Sequence, residues 1–133
     1  MTTALILFAH GARDPEWASP MRRVQAAIRK RLSGVPVELA FLEFMAPNLH
    51  DCAAALVAAG AAKIVVMPMF IAQNGHLKRD VPDMIGQLRS TWPQVQFSLG
   101  DAIGENEIVV QAMATAALAA AGELLIKLPA DSD

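Results

Sequence analysis

Apolar positions along this chain alternate between short unbroken runs and longer stretches with helical spacing. The first run, Ala4–Ala9, shows none of the alternation of a half-exposed strand, which predicts a strand buried on both faces. It ends in His10-Gly11-Ala12-Arg13. Asp14-Pro15 then supplies an N-cap and a proline at the first helical position. Trp17, Met21, Val24, Ile28 and Leu32 follow as an apolar stripe, and Ser33-Gly34 ends that helix. Val35–Phe44 predicts a second strand. Asn48 caps a helix through Ala59, with Asp51 at the capping-box position and Gly60 as the stop. Lys63–Ile71 predicts a third strand, followed by a loop over 72–79. Asp80 and Pro82 open the next helix, which carries Met84, Leu88 and Trp92 on one side and closes at Pro93. Val95–Leu99 predicts a fourth strand, Gly100–Glu107 a loop, and Ile108–Ala121 a last helix. Leu124–Leu128 reads equally as a short extra strand or an interface segment.

Four strands, each followed by a helix, predict an α/β layer fold, and helical crossovers imply parallel pairing. The 133 residues suit a single domain spanning 1–133, with 124–133 set apart as an interface or disordered tail. Apolar residues make up 54% and charged ones 18%, enough to build a core. Tyrosine is absent while alanine occurs 25 times. The apolar excess is therefore mostly small side chains, concentrated at 53–62 and 112–121, and part of it suits an interface.

A net charge of −2 argues against a nucleic-acid partner held by overall charge. One cysteine, Cys52, excludes an intrachain disulfide and any multi-cysteine metal site. It suits a reducing compartment, and a cytoplasmic location is expected. The six-residue run at 4–9 is far short of a bilayer span and has no basic segment before it. No membrane partner is expected.

In an open parallel sheet, ligands bind beyond the carboxyl ends of the strands, so the strand-to-helix loops are where chemistry is sought. The first holds His10 and Arg13, the second Glu43 and Met45, the third His76, Lys78 and Arg79, and the fourth Asp101. Two imidazoles and a carboxylate at one edge suit a divalent first-row metal such as cobalt, iron or nickel, with positions left open for a substrate. Each loop histidine taken alone is more often just a hydrogen-bonded loop residue; two at one edge favour function. Gly11 and Gly75, beside the two histidines, allow close approach of a ligand or are ordinary turn punctuation. His50, in the first turn of the second helix, reads as solvated, and Cys52 as a small core residue. Met45, Met69 and Phe70 suit core packing. No GxGxxG or Walker A loop is present.

Taken in order, His10-Gly11-Ala12-Arg13-Asp14-Pro15, Phe41-Leu42-Glu43-Phe44 with Pro47, Pro68–Phe70, Gly75-His76 and Asp80-Val81-Pro82 resemble the CbiX/SirB-type sirohydrochlorin chelatases over about residues 4–103. Many members have serine where Ala12 stands and a second glycine where Asn74 stands. The resemblance implies a flavodoxin-like chelatase domain with a central parallel four-stranded sheet and helices on both faces. It implies insertion of Co²⁺ or Fe²⁺ into sirohydrochlorin, in cobalamin or siroheme biosynthesis, with the metal as substrate and no permanently bound cofactor. His10 and His76 carry over as metal-site and proton-accepting residues, and Glu43 as metal ligand or proton relay. Arg13, Lys78 and Arg79 would pair with the carboxylates of the macrocycle, and Met45 would lie against its face. Longer members hold two such domains around one cleft, so a chain of this length is expected to pair as a homodimer.

Two rivals remain at this point. A histidine phosphatase also carries His-Gly after its first strand, but needs an arginine where Ala9 stands. A non-catalytic metal or tetrapyrrole carrier would use the same histidines.

Overall fold

The structure is a computed structural model that describes residues 2–127. Four strands, β1 (Thr2–Ala9), β2 (Val37–Phe41), β3 (Ala61–Pro68) and β4 (Gln96–Leu99), form one parallel sheet in the order β2-β1-β3-β4. Their crossovers are α1 (Ser19–Arg31), α2 (Leu49–Ala58) and α3 (Gly75–Thr91), and α4 (Glu107–Lys127) follows β4. This is the expected α/β architecture. The order reverses at β1 and β3, which places a topological switch point between their carboxyl ends.

The faces of the sheet are covered unequally. On one face Ile6, Phe8, Ile64, Val66 and Phe97 pack under Cys52, Ala53 and Leu56 of α2 and Val81, Ile85 and Leu88 of α3. On the other, Leu7, Leu39 and Phe41 pack under Met21, Val24 and Ile28, all from α1. Helices thus lie on both faces as predicted, two on one and one on the other.

Several boundaries differ from the sequence reading. Asp14 is an N-cap, but of a 3-10 turn over Pro15–Ala18 rather than of α1; its Oδ1 accepts the Glu16 N–H at 3.0 Å. Trp17 falls in that turn and Leu32 beyond α1, so both ends of the expected stripe are exposed. Strand β2 stops at Phe41 instead of Phe44, because Phe44 turns the chain at φ +66° and the Phe41 N–H bonds back to the Pro47 carbonyl at 2.9 Å. Strand β3 ends at Pro68, not Ile71.

The largest differences are at α3 and α4. Helix α3 begins at Gly75, five residues before the predicted start. Asn74 caps it, its side chain accepting the Leu77 N–H at 2.9 Å, and Pro82 lies inside the helix. Helix α4 runs on to Lys127, so Leu124–Lys127 is helical and not a strand; Leu128 and the rest of the expected tail, 129–133, lie outside the described residues. With a mean hydropathy of 1.7 over Glu107–Leu125, α4 is by length and composition long and apolar enough to cross a bilayer, which the sequence reading did not expect.

Candidate active site at the carboxyl edge of the sheet

The loops after β1 and β2 continue the ladder of their strands. Leu42 N–H donates to the Ala9 carbonyl at 2.8 Å and Glu43 N–H to the His10 carbonyl at 3.0 Å. His10 and Glu43 are thereby fixed as backbone neighbours, although they are 33 positions apart. Gly11 makes this possible. It sits at φ +85°, and a Cβ there would collide with the Glu43 carbonyl oxygen, so only glycine lets the two loops close up.

The His10 ring is half-buried and stacks at a tilt on Phe70, with centroids 4.6 Å apart. Phe70 is buried and in turn meets Phe8 edge-on at 5.9 Å. The imidazole thus rests on an aromatic support rooted in the core. Beside it opens a cavity of 460 Å³ bordered by Trp17, Met21, Met69 and Ile71. Apolar walls with a single imidazole suit the face of a flat, largely apolar ligand. Met69 is part of this cavity, whereas Met45 packs half-buried against the cluster under α1.

His76 stands in the first turn of α3 rather than in a loop, with Lys78 and Arg79 beside it, all three exposed. Its Nε2 lies 2.8 Å from Oδ2 of Asp80. The two side chains are one helical turn apart, and the close approach holds the imidazole beside the carboxylate. The positive end of α3 adds to the two cations of this turn. Arg13 lies over the exposed Phe44 ring, 4.9 Å from its centroid, an attraction between cation and aromatic face.

The sequence-predicted site residues lie in the loops and first helical turn at this edge: His10 with Glu43, Met45 in the same loop as Glu43, Arg13 over Phe44, and His76 with Lys78 and Arg79. Among the described residues no three His, Cys, Asp or Glu side chains are grouped tightly enough to hold a metal ion. The compact three-ligand site expected from His10, Glu43 and His76 is thus not assembled among the described residues of one chain. Sequence reasoning missed the Asp80 partnership, for which the i,i+4 spacing was the available signal. It also missed the Arg13–Phe44 contact, which depends on the turn at Phe44 and left no signal.

His50 is exposed, as expected, 3.4 Å from Asp51 and with its ring 5.2 Å from that of Trp92. Cys52 is buried under α2. Burial first, and the Glu38 carboxylate second, push its thiol up to about 12, so it stays protonated and inert near neutrality.

The CbiX family matches residues 4–120. A sirohydrochlorin cobaltochelatase of Saccharolobus solfataricus is 30% identical over 129 residues, which cover 92% of this chain and 90% of that one. A CbiX protein from Marinobacter aquaeolei VT8 superposes with a TM-score of 0.80 at 25% identity, covering 91% of this chain and 98% of the other. The sirohydrochlorin chelatase SirB from Bacillus subtilis subspecies spizizenii, solved with cobalt, superposes with a TM-score of 0.75 at 29% identity. That match covers 86% of this chain but 49% of SirB. A match over nearly the whole domain, together with the fold, means that the chain belongs to the CbiX family.

Proposed function

We propose that this chain is a sirohydrochlorin chelatase that inserts cobalt or iron into the macrocycle. The observation that carries the reading is the backbone-locked His10–Glu43 pair at the switch-point edge, next to an apolar cavity, in a chain of the CbiX family. Metallation removes two pyrrole N–H protons and exchanges the metal's solvent for ring nitrogens. His10 is seated to accept a proton from a ring lying in the cavity. His76, held beside Asp80, offers its imidazole to a proton or to the incoming cation. Glu43, exposed beside His10, can hold the cation or relay protons. Arg13, Lys78 and Arg79 face a polycarboxylate substrate with positive charge although the chain as a whole is acidic.

Within this reading the working unit is a homodimer. SirB is about twice as long as this chain, and the match covers half of it. A second copy would complete the cleft and bring further ligands to a metal that one chain holds incompletely.

The test is the visible spectrum of sirohydrochlorin mixed with Co²⁺ or Fe²⁺, with and without protein. Acceleration over the spontaneous rate is expected, with a loss of at least about tenfold in His10→Ala and in His76→Ala. Binding of metal or macrocycle without acceleration would make the protein a carrier. The phosphatase reading has no support at the site, because the position that would carry its arginine is Ala9, buried at the end of β1.

A further inference from the structure

Trp17 has the helical spacing of a core residue, yet the fold takes it out of the stripe of α1. It stands in the turn Pro15–Ala18 with 41% of its surface exposed. That turn is bonded along its length. Asp14 Oδ1 accepts the Glu16 N–H at 3.0 Å, and the Asp14 carbonyl accepts the Trp17 N–H at 3.1 Å. Ser19 N–H donates to the Glu16 carbonyl, and Arg22 reaches back from α1 to the Pro15 carbonyl at 3.3 Å. A backbone held this way keeps the indole at the surface by construction, although burying it would be favourable. The other tryptophan, Trp92, lies among the rings of His50 and Phe97. Trp17 has no ring beside it among the described residues.

The indole lines the same 460 Å³ cavity as His10. Ile71, another wall of that cavity, is 71% exposed and equally fixed. Gly104, in the turn after β4, donates its N–H to the Phe70 carbonyl at 3.0 Å. It lies so close to Ile71 that a Cβ would collide with the Ile71 carbonyl oxygen. The cavity is therefore shaped in advance by two bonded loops. Carboxylate arms would lose their hydration against such apolar walls, so the part of a tetrapyrrole that suits them is its conjugated ring. The arms then stay outside, at the edge where Arg13, Lys78 and Arg79 stand. We propose that Trp17 is a substrate-binding residue whose indole stacks on the conjugated face of the macrocycle and holds it beside His10. The inference rests on the chelatase reading above and names the group that selects a flat ring.

Stacking gives a selectivity that charge alone cannot. A flat conjugated ring meets the indole over its whole face, whereas a puckered, reduced ring carrying the same carboxylates meets it only at an edge. The cations at the edge attract both alike. Trp17 thus separates an oxidised, conjugated macrocycle from its reduced precursors.

The test uses the full chain with Trp17→Ala, Trp17→Phe and Trp17→Leu. Binding of metal-free sirohydrochlorin is measured by equilibrium dialysis, and cobalt insertion is followed in the visible spectrum. In Trp17→Ala the Kd for sirohydrochlorin is expected to rise about tenfold, with kcat within about twofold of the parent. Trp17→Phe should recover most of the affinity. Trp17→Leu should not, because it keeps apolar bulk without an aromatic face. Uroporphyrin and uroporphyrinogen then serve as competitors, the first flat and the second puckered, with the same carboxylate arms. The parent should prefer uroporphyrin, and Trp17→Ala should lose that preference. Thermal unfolding of the variants should match the parent. Parent-like binding by Trp17→Leu would overturn the proposal, as would an equal loss of affinity for both competitors, or a fall in kcat with Kd unchanged. A chain that binds sirohydrochlorin through Trp17 but does not metallate it refutes the chelatase reading while supporting the stacking. Metallation and binding that ignore all three substitutions refute the stacking while supporting the chelatase.

Discussion

His76 Nε2 and Asp80 Oδ2 lie 2.8 Å apart, one turn along α3. In the proposed reaction this contact would orient the imidazole, because the ring cannot turn away from Asp80 without losing it. Asp80 is in this sense a positioning residue. Asp80→Asn is expected to lower kcat of metal insertion by about tenfold to a hundredfold with little change in KM, and Asp80→Glu to recover part of the loss. Circular dichroism and thermal unfolding should match the parent. A KM effect with unchanged kcat would show that Asp80 serves substrate binding instead.

Gly11 offers a test of the first loop that is independent of chemistry. Its φ of +85° and its approach to the Glu43 carbonyl leave no space for a Cβ. Gly11→Ala must both enter a left-handed conformation and push the loop after β2 away. We expect a loss of about 2 kcal/mol or more in urea denaturation, with activity falling further than stability because His10 and Glu43 separate. Gly34→Ala is the control, since Gly34 shares the positive φ but meets nothing within 4 Å. It should cost only the conformational part. Equal losses at the two positions would mean that contact with Glu43 contributes nothing.

Much of this architecture is written in local chemistry. Ala4–Ala9 reads as a buried strand because its apolar run has no polar alternation, and it is the centre of the sheet. Asn48 and Gly60 mark the limits of α2 because caps and stops act within a few residues. Where the reading fails, a competing local signal or the packing of elements against one another decides. Asp80 and Pro82 look like a helix start, yet the Asn74 cap starts α3 earlier and turns His76, Lys78 and Arg79 from loop residues into one turn of helix. Whether His10, Glu43 and His76 share a metal depends on angles between elements, which no spacing encodes. The length of α4 was hidden by Gly122 and Glu123, which read as a stop although the helix passes through them.

Arg13 reaches out over Phe44 at 4.9 Å, at the same edge as His10. If it meets a substrate carboxylate there, Arg13→Ala should raise KM for the macrocycle by about tenfold to a hundredfold and leave kcat within about twofold. Arg13→Lys should recover less than half of that free energy, because lysine lacks the planar bidentate fork. Raising the ionic strength should narrow the gap between parent and variant. If Phe44→Ala reproduces the Arg13→Ala effect at every salt concentration, the guanidinium is acting through the aromatic ring and not on the substrate.

The thiol of Cys52 gives the fold a defined alkaline weakness. Burial, with a smaller push from Glu38, raises it from 9.0 to about 12. The folded chain therefore keeps this proton through a range in which the unfolded chain loses it. Between pH 9 and about 12 the unfolded state binds fewer protons, so the free energy of unfolding falls as pH rises, and below pH 9 this group contributes no slope. Urea denaturation across that window should show a steeper decline for the parent than for Cys52→Ala, whose residual slope belongs to the other titrating groups. The same burial predicts that a thiol reagent labels Cys52 only through opening of α2, so that added urea accelerates labelling. Rapid labelling of the folded chain near neutrality would place Cys52 outside the core and remove the reason for both effects.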